Sequence, residues 1–294
     1  MLYLIENAYS VSLYRKREVK MKTALVLEGG AMRGMYTAGV LDSFMEQGVE
    51  FDAVIGVSAG ALFGVNFLTK QIGRVIRYNK KYNSDKNYMG IRPFIKTGNI
   101  IDTEYAYSRV PLKLDPIDDE TFKKSKVPFY AVITNMRTGQ PEYVRIKSVV
   151  EQMDVLRASG SMPFASRPVA IKGELYLDGA IADSIPFQKM LDMGYDRLVV
   201  VLTKDKGYVK KPMNRLLTLI YKKYPNFYKA LNNRHIMYNK QMEDLRALEK
   251  AGIAKVYQPV NSPKISRLES DPEKLEALYQ IGRMDGLSGI RYQM

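Results

Sequence analysis

Ser58 stands between Gly56 and Gly60 in the stretch FDAVIGVSAGALFGV, a G-x-S-x-G frame at the end of an apolar, β-like run. A serine hydroxyl is a weak nucleophile until a neighbouring base takes its proton. With a strand before it and a helix after it, the two glycines remove side chains that would clash in a sharp turn, and the hydroxyl is presented above a sheet. The frame alone is common, and a plain glycine turn also produces it. EGGAMRG, Glu28 to Gly34, again falls between a β-like and a helical run. Its glycines would expose backbone N–H groups at a helix N-terminus, a place for negative charge. As a dinucleotide-binding loop it is flawed, because Ala31 replaces the second glycine and the next strand ends in Ser58 instead of a ribose-binding acid. As an oxyanion hole it fits: the N–H groups of Gly30 and Ala31, helped by Ala59, would hold the charge of a tetrahedral intermediate. In YLDGAIADSIP, Asp178 ends a β-like run ahead of Gly179, at the sheet edge where it would meet Ser58. Taken singly it would be a turn aspartate.

The usual partner of a catalytic serine is histidine, and the chain has one, His235, in the basic, helical-looking LNNRHIMYNK. Ser58, Asp178 and His235 do follow the chain order of a Ser-Asp-His triad, but a histidine in such a segment is more simply a surface residue. There is no cysteine, which excludes disulfides, thiolate chemistry and Cys-ligated zinc, and one histidine argues against a His-based metal site. No metal and no cofactor are expected. Asp183 is expected as a turn residue before the following helix, and Asp102 in GNIIDTEYA as a helix cap.

The elements that would position these groups alternate strand and helix. TALVLEGG runs into the helical MRGMYTAGVLDSFMEQG, which stops at Gly48, and FDAVIGVS runs into AGALFGVNFLTK. FYAVITNM and YVRIK predict two strands around the turn RTGQ. GELYLDGA and DRLVVVLT flank PFQKMLDMG, a helix opened by Pro186 with Ser184 as its cap. Such alternation predicts an α/β fold of three layers, α/β/α, around a mainly parallel sheet, with the site at the carboxyl ends of the strands. At 294 residues and 46% hydrophobic the chain is long enough for one large or two modest domains. Because residues 204–250 interrupt the alternation with basic, tyrosine-rich helices, it reads as one domain with a helical insertion.

The three stretches in this order resemble the patatin-like phospholipase family, over about Met21 to Val201. RASGSMPFASRPV (157–169) is also similar to that family's loop before the aspartate strand. The resemblance implies a lipid acyl hydrolase working through a Ser-Asp dyad without histidine. Ser58 would be nucleophile and Asp178 base, with Gly29, Gly30, Ala31 and Arg33 in the oxyanion motif. Gly34, Gly56, Gly60, Gly179 and Ala180 complete the motifs. The departure is Ala31 for the family's usual glycine; its N–H remains, and a positive φ there would strain it. Arg33 would brace the glycine loop or meet a phosphate. Free carboxylates titrate near ~3.9 and imidazole near ~6.5, so aspartate starts roughly 3.5 kcal/mol worse as a base. Burial must narrow that gap.

The formal charge of +14 is concentrated. Residues 70–96 hold eight Lys/Arg against Asp85 alone, and residues 204–240 hold ten against Asp205 alone, which together exceed the net charge. In KQIGRVIRYNKKY, Lys70, Arg74, Arg77 and Lys81 would form an outward basic stripe opposite Ile72, Val75 and Ile76. In PMNRLLTLIYKKYP, Met213, Leu216, Leu217, Ile220 and Tyr224 would line one face of a helix, with Arg215 and Lys222 on the other. Two readings stand side by side: transient contact with an anionic membrane surface, or apolar faces packed on the core beneath solvated lysines. Nucleic acid would also suit a pI near 9.6, yet no recognition motif accompanies the charge and none is expected as a partner.

No span reaches the roughly 18–20 apolar residues of a membrane helix, which predicts a soluble or peripheral protein. The expected localisation is cytoplasmic, with peripheral association at the inner membrane surface as an open alternative. The expected organisation is an N-terminal extension (1–20), a patatin-like core (21–203), a basic helical insertion or lid (204–250), and a C-terminal strand and helix (251–294). A catalytically idle lipid-binding module on the same scaffold is the alternative from another class, and oligomeric state is left open.

Overall fold

The computed structural model describes residues 21–290; the expected N-terminal extension lies outside them. Strand β1 (Thr23–Leu27) is followed by a short 3-10 turn and helix α1 (Met35–Glu46), and β2 (Ala53–Val57) by α2 (Ala59–Leu68). After α3 (Arg74–Tyr82), α4 (Ile91–Thr97) and α5 (Asp119–Lys124) comes the hairpin β3 (Phe129–Asn135) and β4 (Pro141–Ile146). Helix α6 (Met153–Gly160), strands β5 (Val169–Ile171) and β6 (Glu174–Asp178), α7 (Phe187–Asp192) and β7 (Arg197–Val201) follow. The chain closes with α8 (Arg215–Thr218), the long α9 (Pro225–Lys250), β8 (Ala254–Tyr257) and α10 (Pro272–Ile290).

The strands form one sheet in the order β5-β6-β3-β2-β1-β7-β8, with β4 on the other edge of β3. β3, β2, β1, β7 and β8 are mutually parallel, which makes the sheet mostly parallel. Both faces are covered, so the central strands are apolar throughout and not alternating. Leu25 and Leu27 pack with Tyr36, Phe44 and Tyr279 on one face. Ala24 and Val26, which alternate with them along the strand, pack with Met190, Tyr238 and Met242 on the other. This is the expected three-layer α/β architecture.

Helices α1 and α10 meet backbone to backbone. A side chain on Gly39 would run into the Tyr279 carbonyl and one on Gly282 into the Tyr36 carbonyl, so the C-terminal helix seals the helix that leads away from the glycine loop.

Three local expectations are corrected. Helix α7 has Pro186 as its N-cap with no side-chain cap, because the Ser184 hydroxyl donates to the Ala180 carbonyl instead. The basic stripe is broken: α3 begins only after Gly73, and Arg74 turns inward, 4% exposed, onto Asn66 Oδ1 and the Asp115 carbonyl. Arg77 pairs with the Asp115 carboxylate. The segment 213–224 is not one amphipathic helix but two short turns that bury Thr218 and Tyr221, leaving Leu216 (74%), Leu217 (58%) and Ile220 (63%) exposed. Asp102 does cap, accepting the Tyr105 N–H at 2.8 Å. No described helix is long and apolar enough to cross a membrane.

Candidate active site

The site is assembled where strands end. Ile133 of β3 faces Glu142 of β4 on one edge and Asp178 of β6 on the other, while Val132, one residue earlier, faces Val57 of β2. β2 and the antiparallel β6 therefore share one edge of β3 and meet end to end. Ser58 follows directly on Val57, and Asp178 is the last residue of β6. An antiparallel strand would normally finish at the opposite rim of the sheet; this one stops head-on against its neighbour.

Ser58 has φ 55° and ψ −125°, a conformation that costs an L-residue energy and is held only by its surroundings. The surroundings are specific. A side chain on Gly56 would strike the Gly60 carbonyl, and one on Gly60 the Leu27 carbonyl, so both glycines are required for the turn to pack on β1. The Ser58 N–H donates to Ser159 Oγ at 2.9 Å, and the Ser159 hydroxyl donates to the Val132 carbonyl at 2.7 Å, which fastens the turn to α6 and β3.

The Ser58 hydroxyl donates to Asp178 Oδ2 at 2.7 Å. Asp178 Oδ1 accepts the Ala180 N–H at 2.9 Å, so each carboxylate oxygen is held by one donor, and Thr134 Oγ1 anchors the backbone by donating to the Asp178 carbonyl at 2.9 Å. Asp178 is 4% exposed. Burial pushes its pKa above the ordinary carboxylate value, an effect only partly offset by the Arg234 charge and the hydrogen bonds from Ser58 and Ala180. That is the direction a carboxylate base needs.

The glycine loop lies across the serine. A side chain on Gly29 would come within 2.7 Å of Ser58 Cβ, and Gly30 backs onto Thr203. Thr203 holds the loop from beneath: its N–H donates to Glu28 Oε2 at 2.6 Å, and its hydroxyl lies 2.9 Å from the Gly29 carbonyl. Ala31 has φ 49°, so the departure from glycine carries backbone strain. Gly34 fits beneath Phe63 and Ala59, and Gly179 against the Val132 carbonyl. Arg33 makes no bracing hydrogen bond among the described residues; its side chain lines a cavity.

Two cavities meet at Ser58 and Ala31. One is apolar, walled by Leu62, Phe63, Val110, Leu156 and Met162 among others. The other is polar and contains Glu28, Asp178, Arg33, Lys204, Lys210 and Arg234. Arg267 borders both. His235 is in neither: it sits on α9 with Nδ1 3.0 Å from the Asn232 carbonyl, and no imidazole intervenes between Ser58 and Asp178. Asp183 is no plain turn residue. It is 6% exposed and accepts from Tyr143 and Gln241, tying β4 and α9 together. Among the described residues no cluster of His, Cys, Asp or Glu is placed to hold a metal ion.

Residues 25–191 match the family model described as Patatin-like phospholipase. The chain belongs to the patatin-like phospholipase family. Residues 224–293 match a second model, Domain of unknown function (DUF6363), so the polar cavity draws Arg234 and Arg267 from outside the patatin-like segment. Among curated proteins, YjjU of Escherichia coli K12 is 35% identical over 188 residues, covering 62% of this chain and 52% of YjjU. The NTE family protein Rv1063c of Mycobacterium tuberculosis is 25% identical over 184 residues, 61% of this chain and 48% of that protein. Lysophospholipase nte1 of Aspergillus oryzae is 24% identical over 215 residues, 71% of this chain and 13% of that much longer protein. The chain spans about half the length of the first two relatives.

Sequence reasoning missed Ser159, although it lies inside the RASGSMPF stretch, because a buried serine bonded to a backbone N–H leaves no spacing signature. It also missed Lys204, Lys210, Arg234 and Arg267 as a group. Their charge was visible, but its convergence from three separate segments was not.

Proposed function

We propose that this chain is a serine acyl hydrolase that cleaves fatty acyl esters of (phospho)lipids through a Ser58–Asp178 dyad. The reading rests on the 2.7 Å hydrogen bond from Ser58 Oγ to Asp178 Oδ2, made where an apolar and a polar cavity join. An amphiphilic ester fits that junction, with its acyl chain on the apolar side, its headgroup on the polar side and the carbonyl at Ser58. The name lysophospholipase carried by fungal relatives supports the same class.

Asp178 accepts the hydroxyl proton as Ser58 Oγ bonds to the ester carbon. The carbonyl oxygen becomes an oxyanion facing the N–H groups of Gly30 and Ala31, beside the N-terminus of α2, where fixed donors favour negative charge. Collapse breaks the bond to the leaving alcohol, which takes the proton back from Asp178. Water then gives a proton to Asp178 as it attacks the acyl-enzyme, and Asp178 returns that proton to Ser58 Oγ as the bond from Oγ to the acyl carbon breaks and the fatty acid leaves. No step calls on His235 or a metal.

Access to lipid fits the exposed apolar residues. The loop bearing Met162 and Phe164 is bonded to Tyr221 on one side, through the Phe164 N–H, and to Asn99 on the other, through the Arg167 N–H. It is therefore flanked by the turns exposing Leu216, Leu217 and Ile220 and by α4, which exposes Ile91 and Ile95. Basic residues interleave with both, as at an anionic membrane interface.

A fluorophosphonate should label Ser58, and Ser58→Ala should abolish labelling and ester turnover together. Full turnover in that variant would end the assignment; absence of labelling in a folded wild-type chain would favour the idle, lipid-binding alternative.

A further inference from the structure

The polar cavity holds more positive charge than the acyl-transfer chemistry uses. Arg33, Lys204, Lys210 and Arg234 line it, Arg267 stands at its rim, and its acids are Glu28 and Asp178. Asp178 is engaged with Ser58. Glu28 is 2% exposed and is bonded through Oε2 to Thr203. Among the described residues none of the five cations forms a salt bridge with any carboxylate. Arg234 Nε is buried with no hydrogen-bond partner at all. A buried guanidinium donor without an acceptor is costly, and groups left so in a cavity mark where a ligand atom belongs.

We propose that these five cations form a phosphate-binding subsite, four of them supplied by the chain beyond the patatin-like match, and that it selects acyl lipids whose headgroup is a phosphomonoester. The inference deepens the acyl-hydrolase reading and rests on it. An excess of cations over acids suits a dianion, and guanidinium groups match phosphate oxygens in pairs. A choline headgroup suits the cavity poorly, because the cavity's two tyrosine faces are already occupied by the protein's own ammonium groups and its third ring, Phe164, packs edge-on against Tyr221. Lys210 Nζ sits 4.3 Å over Tyr238, and Lys204 Nζ 5.4 Å over Tyr208. Burial and repulsion from the neighbouring cations, only partly offset by the Glu28 charge, pull Lys204 down to about 8 and Lys210 down to about 7, as expected where cations outnumber acids. Segment 204–267 then supplies the headgroup half of a site whose chemical half is patatin-like.

The test measures binding by the full chain carrying Ser58→Ala, so that no turnover intervenes and the effect of Arg234 on Asp178 is removed from the readout. Titration calorimetry compares a lysophosphatidic acid, a lysophosphatidylcholine and a monoacylglycerol of one acyl chain below their critical micelle concentrations, with glycerol 3-phosphate as the soluble arm. The lysophosphatidic acid should bind at least tenfold more tightly than the other two lipids. Lys210→Met and Arg234→Met, each added separately, should reduce that ratio at least fivefold. Equal binding of the three lipids, or a ratio that survives both substitutions, overturns the proposal. Glycerol 3-phosphate binding as tightly as the lipid overturns the lipid assignment in favour of a soluble phosphate ester. Selective binding by this variant with no ester hydrolysis by the wild-type chain leaves the subsite standing and removes the hydrolase reading; hydrolysis without selectivity does the reverse.

Discussion

At the scale of single residues, the site combines a strained serine with a buried carboxylate, and both features have measurable consequences. Asp178→Asn keeps the acceptor for the Ala180 N–H and offers an N–H to Ser58 Oγ, but it cannot take a proton. Turnover should fall by more than about a thousandfold in steady-state assays. The same variant should be no less stable, and near neutral pH more stable, because an ionised carboxylate is no longer buried. The sign follows from the raised native pKa: wild-type stability should rise as pH falls from the native value of Asp178 toward the ordinary carboxylate value, and Asp178→Asn should lose that increment in denaturant titrations across pH. For catalysis the base must be ionised, so kcat/KM should fall on the acid side with an apparent pKa above ~3.9. Ala31→Gly relieves a backbone at φ 49° and should stabilise by up to about 1 kcal/mol while retaining activity; a clear loss of Tm would contradict the strain.

At the scale of elements, the decisive arrangement is two strand ends meeting on one edge of β3. The motifs around Ser58 and Asp178 were visible as residues, but their adjacency depends on β6 running antiparallel and stopping opposite Ile133. Nothing local in YLDGA encodes that direction. Helix contacts show the same division. Gly39 and Gly282 read as ordinary helix glycines, yet each lets α1 and α10 approach to backbone contact. Gly39→Ala should therefore cost at least about 1–3 kcal/mol in chemical denaturation, although alanine is the better helix former. The failed helix at 213–224 is instructive too. Its spacing satisfied an amphipathic pattern, but the residues the fold buries are Thr218 and Tyr221, selected by contact with Asn232 and Phe164.

At the scale of the whole molecule, the charge of +14 does two different things. One part turns inward, at Arg74 and in the polar cavity, and the other surrounds the exposed apolar residues beside the site. Binding to phosphatidylglycerol vesicles should weaken steeply as ionic strength rises. Leu216→Ser combined with Ile220→Ser should lower activity on vesicle-borne substrate several-fold with little change on a monomeric ester. Equal losses on both would point to damage at the site instead. Because α10 seals α1, a chain ending at residue 203 should fail to accumulate as soluble, active protein even though it contains Ser58, Asp178 and the glycine loop.

The sequence by itself determined the layer order and the kinds of residue at the site. Apolar runs closing on glycine or aspartate define strands and their turns, and local sterics allow little else. It also left histidine and cysteine chemistry with almost nothing to work with. Only the tertiary structure decided which strand end faces which, where the cations converge and which apolar residues stay outside. Those depend on strand direction and on contacts between distant segments, such as Thr203 with Glu28, 175 residues apart, and Tyr279 with Asp42, 237 apart, whose free energy resides in burial and pairing that no window of sequence contains.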